Sequence, residues 1–100
     1  MRVLKTPDGD EVVVSINSDV RLYEDPVRLA GIDIYAHKTR SGTMYYYTHS
    51  WSKVQPAEYS LLTADDVRNR LIDLATLSGE GRLTDNEMKT AEHYFSGIFD

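Results

Sequence analysis

The chain has 100 residues, 41% hydrophobic and 27% charged, which is enough to build one hydrophobic core and too little for two, so a single domain spanning 1–100 is expected. Sixteen acids against eleven Lys and Arg leave a formal net charge of −5, a field that repels phosphate backbones and acidic membranes. Cysteine is absent, which excludes disulfides, thiolate nucleophiles and cysteine-ligated metal centres, and fits a reducing, cytoplasmic setting.

Val3 to Lys5 and Glu11 to Ile16 are β-rich runs around Thr6-Pro7-Asp8-Gly9-Asp10, where proline presets the turn and glycine tolerates the positive φ that follows. Met1 to Lys5 is too short an apolar run for a signal peptide, and no later stretch approaches the ~18 apolar residues of a membrane span. Asn17-Ser18-Asp19 signals a turn that returns Val20 to Glu24 antiparallel to the preceding strand, making a small meander. Asp25-Pro26 followed by Val27-Arg28-Leu29-Ala30 and Gly31 carries a cap, a first-position proline and a terminating glycine, the pattern of one short helical turn.

Ile32 to Lys38 and Thr43 to Trp51 flank Arg40-Ser41-Gly42 and form the clearest hairpin in the chain, rich in β-branched and aromatic residues. Tyr59 to Leu62 adds a further strand. Thr63-Ala64-Asp65-Asp66 opens a helix with the stripe Val67, Leu71, Leu74 and Ala75, ending near Gly79. Thr84-Asp85-Asn86-Glu87 is a capping box that announces a last helix with Met88, Ala91, Tyr94, Phe95, Ile98 and Phe99 on its apolar side. The fold class is therefore α+β: antiparallel hairpins of about five strands, then two C-terminal helices packed on one sheet face.

Side chains alternate across a strand, so Ile32, Ile34 and Ala36 share the side expected to face the helices, while Asp33, Tyr35 and His37 share the other. A three-residue turn sets Tyr35 opposite Tyr47 and His37 opposite Tyr45, giving a face of Tyr35, His37, Tyr45, Tyr47, His49 and Trp51 flanked by Lys38 and Arg40. Two readings fit those residue types: a recognition face for a protein partner, or cross-strand aromatic packing within an ordinary sheet. A two-residue turn would shift the cross-strand partners by one position. The same aromatics beside His37, Lys38 and Arg40 share chemistry with a stacking platform for single-stranded nucleic acid, against which the acidic balance argues.

Residues Thr76 to Glu87 form a twelve-residue stretch between the two helices whose second half resembles an EF-hand calcium loop. The resemblance places Gly81 at the sharp turn, Leu83 at the apolar position and Glu87 at the bidentate position, with Ser78 and Glu80 offering oxygens. It departs at Thr76, where a carboxylate is expected, so any calcium binding would be weak. A Gly-rich connector whose Thr84 and Glu87 cap the next helix accounts for the same residues.

No Gly-rich phosphate loop, nucleophile elbow or HExxH pattern occurs. Asp33 and His37 stand roughly 13 Å apart along one strand, too far to share an ion, whereas Asp33 and His49 suit a cross-strand contact. His93 is an ordinary helix residue. These features predict no enzyme, no cofactor and no metal site. They fit a small acidic protein-binding module, with homodimerisation through a sheet edge as a variant. The alternative is an acidic inhibitor of the kind mobile elements use against nucleic-acid-handling complexes, its carboxylates imitating phosphates. That alternative needs Asp8, Asp10, Glu11, Asp19, Glu24, Asp25 and Asp33 in one contiguous strip; an enzyme needs a pocket with perturbed groups around Asp33 and His49.

Overall fold

A computed structural model describes residues 1–27, 29–76 and 82–100. In chain order the elements are β1 (Arg2–Lys5), β2 (Glu11–Val14), β3 (Val20–Tyr23), β4 (Ala30–Lys38), β5 (Met44–Ser52), β6 (Glu58–Leu62), α1 (Ala64–Thr76) and α2 (Asp85–Tyr94). The fold is α+β, with six strands in two antiparallel sheets. The chain divides into two units, Met1–Thr63 and Ala64–Asp100.

In the first unit, β1 and β2 form a two-stranded sheet, and β3-β4-β5-β6 form a four-stranded one. Both three-residue turns take the same form. The Thr6 amide donates to the Asp10 carbonyl and the Gly9 amide to the Thr6 carbonyl; Thr39, Thr43 and Gly42 repeat the pattern. Gly9 (φ 90°) and Gly42 (φ 92°) occupy the left-handed position that such loops reserve for glycine. Each threonine hydroxyl also accepts the amide four residues on, Asp10 at 3.0 Å and Thr43 at 3.0 Å. The three-residue turn gives the expected register: Tyr35 opposite Tyr47, His37 opposite Tyr45 and Asp33 opposite His49.

The two sheets meet through Val12, Val14, Tyr35 and Tyr47, with Leu4, Ile16, Tyr45, Tyr59 and Leu61 packed around them. Arg2 secures one margin by lying 4.7 Å above the Tyr59 ring and donating to the Ala57 carbonyl. On the opposite face of the large sheet Ile34, Ala36, Tyr46 and Thr48 are buried.

The structure corrects the expected meander. β2 pairs with β1 alone, and β3 pairs with β4 in the other sheet. The turn between them is a corner held by Asp19, which accepts the Ser15 amide locally and the Tyr47 hydroxyl from 28 positions away. The expected helical turn after Asp25-Pro26 gives way to strand: β4 already begins at Ala30, and Asp25 serves as a latch instead of a cap. Arg28, part of that expectation, lies outside the described residues.

In the second unit, α1 carries Val67 and Leu71, one turn apart and fully buried, behind a first turn containing Asp65 and Asp66. α2 opens with the expected capping box: the Glu87 amide donates to Thr84 Oγ1 at 3.1 Å, and the Thr84 amide donates to Glu87 Oε1 at 2.9 Å. It ends at Tyr94, earlier than its apolar stripe suggests, because the chain turns at Gly97 (φ 75°) and the Ile98 amide bonds back to the Phe95 carbonyl. Among the described residues no helix is long and apolar enough to cross a membrane.

Candidate functional site

Tyr35 and Tyr47 stack at 5.4 Å with planes 11° apart, Tyr47 tilts against Tyr59 at 6.1 Å, and His49 meets Tyr59 at 5.0 Å. The β1–β2 hairpin lies over the middle of this ladder, leaving Tyr47 0% and Tyr35 6% exposed. Of the two readings open for this face, the middle of the ladder takes the cross-strand packing one. Its centre is core, because a two-stranded sheet with Val12 and Val14 on its inner side has only this aromatic surface on which to bury them. What stays accessible lies at the two ends.

Towards the β4–β5 turn, the polar groups satisfy one another. Asp19 Oδ2 accepts the Tyr47 hydroxyl at 2.6 Å and the Ser15 amide at 2.9 Å, and Asp19 Oδ1 lies 2.7 Å from His37 Nδ1. An ionised carboxylate only accepts, so Nδ1 is the donor there. Burial first, then the hydrogen bond to Asp19 and its negative charge, push the Tyr47 phenol well above the ordinary tyrosine value. Beyond it a cleft of about 290 Å³ runs between Asp8 and Asp10 of the first turn and Tyr45 and Leu61 of the large sheet. Arg40 is exposed in the hairpin loop.

At the other end of the ladder a cleft of about 450 Å³ opens beside Asp33, His49 and Trp51. The β3–β4 register shifts between Arg21 and Tyr23, just before the 24–27 segment that forms one wall. Asp25 ties this segment to β4: its amide donates to Asp33 Oδ1 at 2.9 Å, and its Oδ2 accepts the Ile32 amide at 3.1 Å. Gly31 makes the close fit possible. A Cβ there would stand 2.9 Å from Trp51 Cζ2 and 3.0 Å from both Asp25 Cβ and Val27 Cγ2, so only glycine lets the indole and the latch approach the same strand.

The polar groups of this cleft are incompletely paired. His49 Nδ1 is buried and has no hydrogen-bond partner, and it stands 3.7 Å from Asp33 Oδ2, an ion-pair separation too long for a hydrogen bond. Asp33 is only 7% exposed, and its Oδ1 is already engaged by Asp25. Tyr35 reaches the same cleft; burial first, then the Asp33 charge, hold its phenol above the ordinary value while Arg21 beside it opposes the rise. Arg21 also pairs with Glu24 at 2.9 Å on the exposed margin.

Of the residues singled out in the sequence, Tyr35, His49 and Trp51 converge on this cleft, whereas His37, Tyr45, Tyr47 and Arg40 do not. Glu24, Asp25 and Val27 join it although the sequence offered a different local role for Asp25 and Val27. The acids do not form one strip. Asp8 and Asp10 stand at one end, Glu24, Asp25 and Asp33 at the other, and Asp19 between them is withdrawn into the core, its side chain 7% exposed.

Among the described residues no group of three or more His, Asp or Glu is arranged to hold a metal ion. In the stretch compared with a calcium loop, residues 77–81 lie outside the described residues. At its edges the Thr76 hydroxyl bonds back to Ile72 and Glu87 caps α2. No family model matches the chain, nor does any curated protein or solved structure. The functional reading therefore rests on the residues themselves.

Proposed function

We propose that this chain is a small, acidic, non-enzymatic protein-binding module of the cytoplasm, and that its docking point is the cleft at Asp33, His49 and Trp51. The observation that carries this reading is the loose pairing there: Asp33 and His49 stand 3.7 Å apart and His49 Nδ1 is buried without a hydrogen-bond partner, beside a half-buried indole. A buried polar atom without a partner costs about 1 to 3 kcal/mol, which marks this end as the less settled one. Tryptophan beside such groups is the composition of a binding hot spot. Exposed apolar side chains at the same end of the hairpin, Val27 (44%), Leu29 (71%) and Val54 (87%), supply surrounding contact area of the kind a protein partner uses. The division of the acids and the withdrawal of Asp19 favour this reading over imitation of a phosphate backbone.

Affinity capture from the source lysate with the wild type and Trp51→Ala side by side, read by mass spectrometry, is the test. A partner held by the wild type and lost by the folded variant supports docking at the cleft. A partner held equally by both removes the cleft as the docking point.

A further inference from the structure

We infer that Asp8 is a site of spontaneous modification: its side chain closes onto the Gly9 nitrogen and reopens as isoaspartate, which lengthens the turn joining β1 to β2 and loosens that hairpin. The chemistry needs water and no enzyme. The Gly9 nitrogen attacks Asp8 Cγ and a C–N bond forms, closing a five-membered succinimide. The hydroxyl of the protonated carboxyl leaves with the Gly9 amide hydrogen as one molecule of water. Water then adds back at either ring carbonyl. Opening at the former side-chain carbonyl restores aspartate; opening at the former main-chain carbonyl runs the chain through Cγ and leaves the α-carboxylate as the branch.

Three observations converge on this position. Asp8-Gly9 is the chain's single Asp-Gly pair, and Asn-Gly does not occur. Pro7, Asp8 and Gly9 are all exposed. Among the described residues the Asp8 carboxylate is held by no hydrogen bond or ion pair, unlike those of Asp19, Asp25 and Asp33. A Cβ at Gly9 would meet no atom within 4 Å, so nothing crowds the residue that supplies the attacking nitrogen.

Other aspartates lack one or more of these conditions. Asp25 precedes Pro26, which has no amide hydrogen to lose. Asp19 and Asp33 are engaged by neighbouring groups and are followed by the β-branched Val20 and Ile34. Asp65, Asp66 and Asp73 in α1 and Asp85 in α2 are each followed by a residue with a side chain, as is Asp10 in the same turn.

The product alters a turn whose length sets a register. Isoaspartate adds one carbon to the main chain between Pro7 and Gly9, where the Thr6 amide now closes on the Asp10 carbonyl and the Gly9 amide on the Thr6 carbonyl. Losing that closure loosens Val12 and Val14 from Tyr35 and Tyr47.

The test keeps the full chain at neutral pH and body temperature for several weeks, with and without urea, and digests samples at intervals. Electron-transfer fragmentation then separates isoaspartate from aspartate at equal mass. Expected is isoaspartate at position 8 ahead of every other aspartate, forming more slowly in the folded chain than in urea because the Gly9 amide must first leave the Thr6 carbonyl. Asp8→Glu keeps the charge and should lose the product, since its longer side chain closes a six-membered ring less readily. Gly42 repeats the positive φ and the open surroundings of Gly9, so Ser41→Asp should gain isoaspartate at position 41 alongside position 8. The aged fraction, separated by chromatography, should unfold at a lower urea concentration than the unaged one.

Isoaspartate found at position 8 only in urea overturns the inference, as does equal accumulation at other aspartates of the folded chain. No product at position 41 in Ser41→Asp overturns the role given to the turn, and this comparison stands whether or not Asp8→Glu folds. An unchanged urea midpoint in the aged fraction overturns the loosening of the hairpin.

Discussion

Two Asp–His pairs lie on the same aromatic ladder and have opposite characters. Asp19 and His37 meet at 2.7 Å, and Tyr47 and the Ser15 amide fill the remaining capacity of the carboxylate. Asp33 and His49 stop at 3.7 Å, leaving His49 Nδ1 without a hydrogen bond although both side chains are largely buried. Identical residue types thus hold two sheets together at one end and are only loosely paired at the other. The composition of a polar cluster says little about its role; how completely it is satisfied says more.

The sharpest way to break this contrast is to remove each carboxylate. Asp19→Ala strips three hydrogen bonds from the join between the sheets and should cost about 3 to 5 kcal/mol in urea unfolding at pH 7, the range for breaking one side of a buried ionic contact. If Asp33→Asn costs as much, the two ends are not different in kind.

Tyr47→Phe removes one bond to the same carboxylate and should cost about 1.5 to 3 kcal/mol. It also changes the alkaline limb of stability. Tyr35 and Tyr47 both have phenols raised above the ordinary value, so above about pH 10 the unfolded chain releases protons that the folded one keeps. Stability should be level below that pH and fall above it, by at most about 1.4 kcal/mol per pH unit for each tyrosine. The Tyr47→Phe variant should show a shallower fall between pH 10 and 11, measured by urea midpoints at each pH.

At the open end, Gly31→Val forces the indole and the Asp25 latch away from β4 and should cost about 1 to 3 kcal/mol, with a red shift of Trp51 emission as the ring meets water. An unshifted spectrum would show that the glycine does not set the indole's position. The smallest effect belongs to Asp33→Asn, which keeps an acceptor for the Asp25 amide and should change unfolding stability by less than about 1 kcal/mol.

The features legible in the sequence are the local ones. Arg40-Ser41-Gly42 sets the turn, the turn sets the register, and the register pairs Asp33 with His49. Thr84 and Glu87 likewise define their capping box within four residues. The corrections fall where a side chain's partner is distant. Asn17-Ser18-Asp19 is a turn, as read, but whether it leads to a hairpin or a corner depends on Tyr47 and His37, 28 and 18 positions away. Asp25-Pro26 has the composition of a helix start, yet its carboxylate is taken by Ile32 and its amide by Asp33. The choice between the two readings of the ladder was undecided for the same reason: nothing local to Tyr35 or Tyr47 announces that Val12 and Val14 will cover them.

The two five-residue turns, Thr6 to Asp10 and Thr39 to Thr43, share one backbone geometry and one pattern of threonine and glycine contacts, although their central residues differ. A connection specified so completely by its own residues is a portable part. Transplanting Arg40-Ser41-Gly42 into the place of Pro7-Asp8-Gly9 would leave either hairpin's alignment unchanged, so a designer can replace an acidic tip with a basic one without redrawing the strands it joins.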